Sequence, residues 1–371
     1  MSRRSIFSFL FSLIIINATV LNAEEMVKSD LQIKGKIFLN WHTGLTDSTD
    51  SESGDKKNTF AFERVYLTCV KELNDLFTMK VTVDVENSEV EEDGHIKSRY
   101  KFYLKKAYLQ TKKTFGPVDT KLLVGMIGTP IIGFTEKIAD QRWIVENLIN
   151  GSKSIIPTGE GIDPSADMGL LLQLDIFKKL TFTGAAMNGE GYKSANESTH
   201  GESDEGKSYY AMLNFMPIHG LYLSGYYKIE ETSVDISDDH KGYYGGGVAW
   251  KNKLISIGVN YIIPFEKVDG STVKWEGTDE SYDIYIIDAW MSLYLKTVID
   301  MPIFVMSKFG LSEDRDQGSK GTTFFGAGLG YEFNKNVRTI AWYQQFDSEE
   351  ADEDDEANPN KTFWIKAEIK W

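Results

Sequence analysis

The chain of 371 residues has a single cysteine, Cys69, so no internal disulfide can brace it. Prolines number only eight, too few to break the chain often. Positive charge is not in excess. Fifty-five acidic residues against 40 basic ones give a net charge of −15, which argues against a nucleic-acid partner. Beyond the N-terminal segment no run is long and apolar enough to span a bilayer as a helix. No glycine-rich phosphate loop, paired-cysteine metal pattern or G-x-S-x-G elbow occurs, so nothing in the sequence calls for a metal or cofactor. The five histidines are His42, His95, His200, His219 and His240. Four lie near long polar connections and none falls in a Ser-His-Asp arrangement, which leaves no basis for expecting an enzyme.

What the sequence does have is alternation. "QIKGKIFLNWH" sets Ile33, Gly35, Ile37, Leu39 and Trp41 against Gln32, Lys34, Lys36, Phe38, Asn40 and His42. "FTMKVTVDVE", "MGLLLQLDI", "LISIGVNY" and "FGAGLGYEF" repeat the pattern. A period of two is the mark of a β-strand with one apolar face. The pattern runs to Trp371: Phe363, Ile365, Ala367, Ile369 and Trp371 alternate with Trp364, Lys366, Glu368 and Lys370.

The N-terminal segment reads differently. Arg3 and Arg4 precede an apolar run from Ile6, and the small Ala23 follows. This predicts a secretory signal peptide over residues 1–23 and an exported domain over 24–371. An uncleaved membrane anchor is the alternative.

Connection lengths then set the fold class. Short turns are predicted around Asn74, Gly116, Lys178, His219, Asn252, Val298 and Asn334. Between them lie long polar stretches at 44–58, 87–98, 128–166, 188–207, 231–241, 264–281, 310–321 and 347–361. Seven short turns alternating with eight long loops make sixteen strands. An even strand number, short turns at one end, long loops at the other and an apolar outer face describe an all-β fold, a 16-stranded antiparallel transmembrane β-barrel of the bacterial outer membrane. Closure satisfies every backbone group in lipid, with the last strand pairing to Gln32–His42. Trp371 is expected at the membrane interface on the short-turn side.

The third long connection, "GTPIIGFTEKIADQRWIVENLINGSKSIIPTGEGIDPSAD", is too long and too apolar for a loop in water. Ile138, Trp143, Val145 and Leu148 suit a short helix from about Glu136 to Leu148. Folding this loop into the lumen would bury it and narrow the pore. Gly245, Gly247, Gly326, Gly328 and Gly330 face the lumen on this register, either to leave room for something bulky or to bend the wall.

The whole run resembles the general bacterial porins, and especially the phosphate-selective porin O and P family. The likeness rests on Gly128–Pro130, on Arg142–Trp143–Ile144 of the long loop and on Ala166–Asp167–Gly169 where the next strand opens. "FERVYLT" and "LKKAYLQ" resemble that family's early strands, and the terminal aromatic resembles an outer-membrane assembly signal. The resemblance implies a water-filled, passive channel for small hydrophilic solutes and ions, with anion or phosphate preference. It implies lipid, lipopolysaccharide and the assembly machinery as partners, and a homotrimer.

Selectivity in such a pore comes from charges at the constriction. The inward-facing basic residues are Lys34, Lys36, Arg64, Lys80, Lys106, Lys228, Lys308, Arg338 and Lys366, with Arg142 on the inward loop. The candidate pore-lining set is Arg142, Arg64, Lys106, Lys80, Lys228, Lys308 and Arg338. Inward acids include Asp84, Glu86, Asp175, Asp288, Glu332 and Glu368. The same register turns Glu63 and Lys105 outward, where a mid-bilayer charge costs about 2–4 kcal/mol for a lysine. The acidic run Glu349–Glu356 is either a solvated tip or a binder of the divalent cations that bridge lipopolysaccharide. Three other readings stay open: a barrel with a closed lumen that anchors an adhesin or binding protein, an outer-membrane enzyme, and a soluble secreted β-protein.

Overall fold

The computed structural model describes residues 31–44, 59–92, 95–150, 162–193, 206–231, 240–268, 284–314, 321–348 and 360–371, with the short segments 271–273, 275–276 and 281–282. The expected signal peptide and the acidic run Glu349–Glu356 lie outside the described residues.

Sixteen antiparallel strands form one closed barrel. They are β1 (Gln32–Gly44), β2 (Thr59–Glu72), β3 (Phe77–Glu92), β4 (His95–Phe115), β5 (Val118–Gly128), β6 (Ala166–Ile176), β7 (Leu180–Met187) and β8 (Ser208–Phe215). β9 (Leu221–Glu231), β10 (His240–Lys251), β11 (Ile255–Val268), β12 (Ile284–Tyr294), β13 (Ile303–Asp314), β14 (Thr322–Asn334), β15 (Val337–Ser348) and β16 (Asn360–Lys370) complete it. Each strand pairs with its sequence neighbours, and β16 pairs with β1 from Lys36↔Lys370 to Gly44↔Thr362. The short turns stand where the sequence puts them. Three share one device: the side-chain oxygen of Asn74, Asn252 or Asn334 accepts the backbone N–H groups two and three residues on.

The outer face is apolar around the whole barrel. Phe60, Phe102, Leu213, Val248, Ile257, Leu329 and Ile365 stand exposed on it, as does Trp371. That is the surface of a barrel that spans a bilayer. At the seam Gly35 and Trp371 exchange two backbone hydrogen bonds of 3.2 Å. The Trp371 ring lies where a Cβ on Gly35 would stand, so only glycine fits beneath it.

Three features differ from the sequence reading. The described residues of the stretch 87–98 are not a loop: β3 and β4 run on as a paired ribbon to Glu92↔His95. Its polar composition is that of strands without the barrel's apolar alternation. Second, the helix of the inward segment is α1 (Pro130–Ala139), earlier than Glu136–Leu148. Pro130 presets the first turn, and Asp140, in the left-handed conformation at φ 55°, ends the helix. Third, Glu63 and Lys105 do not face lipid. The β1–β2 register shifts beside Leu39, so Phe38 pairs with Arg64 and Leu39 with Phe62. The β3–β4 register shifts between Thr82 and Val83, which pair with Lys106 and Leu104. Each shift is a bulge that inserts one residue, Glu63 or Lys105. Glu63 contacts Asn40 and Lys366, and Lys105 contacts Asp84. Both charges therefore join the lumen, and Arg64 and Lys106 keep their inward direction.

The glycines of the later strands have a definite use. A Cβ on Gly326 would run into the Trp342 ring, one on Gly330 into Phe304, and one on Gly258 into Trp290. On Gly245 it would approach Tyr226 to 2.8 Å. Bare backbone lets these rings lie flat on the inner wall.

Candidate functional site

The inward segment packs against that ringed wall. Ile131, Ile132, Trp143, Ile144, Leu148, Ile149 and Ile162 share one buried cluster with Phe38, Tyr226, Tyr243, Ile262, Ile286, Phe304, Phe324 and Trp342. Trp143 meets Phe304 edge-on at 6.1 Å, and the Arg338 guanidinium lies 4.6 Å from a Trp143 ring. Burying a side chain of this kind contributes about 1.5–3 kcal/mol. Apolar burial therefore accounts for the segment's presence in the lumen.

Polar contacts fix its height. Gln141 donates to the carbonyls of Met291 and Ser307 at 2.9 and 3.0 Å. Ser256 donates to the Ile138 carbonyl at 2.7 Å, and Lys366 to that of Ile144. Arg338 holds Asp140 at 2.8 Å and Glu368 at 2.6 Å. Burial opposes ionisation of Asp140, but the hydrogen bond and charge of Arg338 keep its carboxyl below the usual range. On the return arm Asp163 accepts from Tyr210 at 2.7 Å and Tyr243 at 2.9 Å, with Lys228 at 3.3 Å. Burial pushes the Asp163 carboxyl upward against those partners.

Opposite the ringed wall, β2–β4 carry a charge cluster. Arg64 binds Asp84 and Glu86 at 2.9 Å each and reaches Glu146 on the inward segment at 2.6 Å. Glu146 also takes Arg142 at 2.6 Å, and Arg142 lies 3.3 Å from Glu136. Lys105 and the Tyr192 hydroxyl bind Asp84 at 3.1 and 2.9 Å, and Lys193 binds Glu86 at 2.5 Å. Four cations, Arg64, Lys105, Arg142 and Lys193, thus face four anions, Asp84, Glu86, Glu136 and Glu146. Burial would raise the Glu146 carboxyl, but Arg142 and Arg64 hold it at about 2. Burial pushes the Tyr192 phenol up to about 12. A cavity of about 850 Å³ lies on the long-loop side, lined among others by Asn40, Arg64, Glu86, Glu146, Lys228, Gln344, Trp364 and Lys366.

The basic residues expected in the lumen do not gather in one site. Arg64 and Arg142 meet through Glu146. Lys228 sits with Asp163 and Glu230, Lys308 is 3.4 Å from Asp288, Arg338 is held by Asp140 and Glu368, and Lys366 is 3.0 Å from Glu63. Lys80 lies toward the short-turn end of β3, and the Lys106 ammonium lies 3.2 Å from where a Cβ on Gly128 would stand, at the start of the inward segment. Sequence reasoning missed Glu146, Asp163 and Tyr192. Glu146 had a signal, four residues after Arg142. Tyr192 had none, since only the fold brings it to Asp84.

No protein-family model matches the sequence, and no curated protein matches it. Solved structures do. The barrel is similar to Salmonella typhi OmpF in complex with daunomycin, with a TM-score of 0.61 and 14% identity over 92% of this chain and 98% of that one. It is similar to the anion-selective porin from Comamonas acidovorans, with 0.61 and 8% over 93% and 100%. It is similar to the outer membrane channel DcaP of Acinetobacter baumannii, with 0.54 and 11% over 94% and 99%. These identities are low, and what they establish is the fold: a closed, 16-stranded porin-type barrel.

Proposed function

We propose that the chain is a porin of the bacterial outer membrane, a passive channel for small hydrophilic solutes and ions. One observation carries the reading: a closed barrel with an apolar outside holds ion-paired side chains and a cavity of about 850 Å³ inside. A barrel of this strand number has room for an aqueous lumen. Lipid and lipopolysaccharide surround it, the assembly machinery inserts it, and the long loops face outward. The porin fold supports a homotrimer. The early strands and the Arg142 segment support modest anion preference, with phosphate as one candidate solute. The matched charges around Arg142 keep that preference small.

One observation favours the closed, anchor-type reading instead: Arg64 fastens the inward segment to β2 at 2.6 Å. Conductance decides. Purified protein in a planar bilayer should give discrete current steps, with a reversal potential shifted modestly toward anions in a salt gradient. Replacing Arg142 with Glu should move it toward cations. An absence of current steps from folded protein would leave the anchor.

A further inference from the structure

Three neighbouring short turns depart from the acidic balance of the chain. They join β4 to β5, β6 to β7 and β8 to β9. Backbone hydrogen bonds tie them into one rim: Phe177 donates to the Pro117 carbonyl at 2.9 Å, and Met216 to that of Lys179 at 2.7 Å. The chain carries a net charge of −15, yet residues 113–118, 176–180 and 216–220 hold Lys113, Lys178 and Lys179 and no acid. Among the described residues none of these three lysines has a carboxylate within ion-pair distance. The acids on the flanking strand ends are engaged elsewhere. Thr114 donates to Asp119 at 2.6 Å, and Gln173 and Thr181 donate to Asp175 at 2.8 and 2.5 Å. The Lys113 ammonium lies 5.2 Å from the centre of the Phe115 ring. Beside the lysines, Phe115, Phe177 and Ile218 are 53%, 71% and 55% exposed, far more than a side chain that packs on its own fold.

The middle turn is strained. Phe177 and Lys178 both take left-handed backbone, at φ 52° and 56°. Two such positions in a row favour asparagine and glycine, and a phenylalanine there is an outlier. Other turns of this barrel do use asparagine, at Asn74, Asn252 and Asn334. Strain retained at two exposed side chains points to a use for those side chains. Exposed rings among unpaired ammonium groups suit the boundary between water and hydrocarbon, with rings toward acyl chains and lysines toward headgroups. Alternation sets Lys113 and Phe115 on the outer face with Leu109. An anionic leaflet attracts each such lysine, whereas an anionic cell-wall polymer would meet the charges and leave the rings in water. We propose that Lys113, Lys178 and Lys179, with Phe115, Phe177 and Ile218, form a docking surface for anionic phospholipid headgroups, selecting phosphatidylglycerol over zwitterionic lipid in the leaflet at the short-turn end. It rests on the outer-membrane reading for the leaflet it meets, but not on conduction.

The test uses the full-length folded protein in phosphatidylcholine vesicles that carry a trace of spin-labelled phosphatidylglycerol or spin-labelled phosphatidylcholine. The share of label immobilised at the protein, read by electron paramagnetic resonance, should give an association constant about threefold higher for phosphatidylglycerol. Salt at about 1 M should remove most of that difference. The triple variant Lys113→Gln, Lys178→Gln, Lys179→Gln should lose it, and Lys335→Gln on the β14–β15 turn should keep it. Heat-modifiable mobility identifies variants that fold. The double variant Phe177→Asn, Lys178→Gly gives the strained turn the residues its backbone favours. It should fold at least as well as wild type and still lose part of the preference, which a purely structural role would not predict. Equal association of the two lipids with wild type, or a preference kept in full by either folded variant, would overturn the surface and leave the channel to stand on its current steps. A preference without current would overturn the channel and keep the surface. Sedimentation of detergent-solubilised barrel with purified cell-wall sacculi, lost in the triple variant and found without lipid preference, would overturn the lipid as occupant.

Discussion

The two inner walls of this barrel solve the same problem in opposite ways. The wall of β2–β4 is wide in charge: two bulges turn Glu63 and Lys105 inward beside Arg64 and Lys106. The wall of β9–β15 is wide in rings, with glycines beneath Trp342, Phe304, Trp290 and Tyr226. The inward segment lies on the ringed wall and reaches across to the charged wall through Glu146, 2.6 Å from Arg64. A lumen can thus be part apolar core and part charged wall, divided by residue choice on strands of identical backbone pattern.

The largest expected effect breaks the ringed wall. Gly326→Leu should prevent accumulation of heat-modifiable barrel, because the Trp342 ring occupies the space its side chain needs. Gly225→Ala, on the outer face where a Cβ meets nothing within 4 Å, should fold like wild type. Equal yields of the two would remove the distinction between ring-bearing and bare glycines.

A smaller loss should follow on the charged wall. Asp84 is fully buried and takes both Arg64 and Lys105, so Asp84→Asn leaves two buried cations short of a partner. Unfolding in urea, followed by tryptophan fluorescence, should show a loss of about 3 kcal/mol. A change under a tenth of that would mean that water already shares this cluster.

Between the walls, Glu146→Gln should loosen the inward segment and raise single-channel conductance roughly twofold. The pH dependence has a defined sign. The Glu146 carboxyl is depressed to about 2, so the bridge holds above the ordinary carboxylate range and is lost as pH falls through about 2. Lowering pH from 7 to 4 should leave the bridge intact, and a conductance jump in that window that Glu146→Gln abolishes would contradict it. The smallest effect belongs to Lys36→Gln. Its side chain is half exposed and its partner is 3.8 Å away, so the change in stability should stay within about 0.5 kcal/mol.

How far these walls were legible in the sequence follows from period and chemistry. A period of two fixes which side chains share a face, so the sixteen strands, the seven turns and the inward direction of Lys80, Lys228, Lys308 and Arg338 were all readable. A bulge resets that period at one residue, and no local composition marks where. The implausible cost of Glu63 and Lys105 in lipid was the only trace of the two bulges. The inward segment was readable as apolar, but its helix was misplaced because it was drawn through Ile138, Trp143, Val145 and Leu148 rather than started at Pro130. Partners such as Asp163 for Lys228 are fixed by tertiary packing and left no mark in sequence.

The seam has a consequence for the order of events during folding. Closing the barrel joins β1 to β16, and the Lys366–Glu63 contact across that seam links residues 303 positions apart. Contacts of such separation carry a large loop-closure entropy and form late and slowly. Until they form, β1 and β16 are open edges, a state prone to aggregation. The indole of Trp371 settling onto Gly35 is then a closing event. Protease protection of β1 in pulse-labelled protein should appear only after β16 is in place, and later than protection of the β10–β11 hairpin.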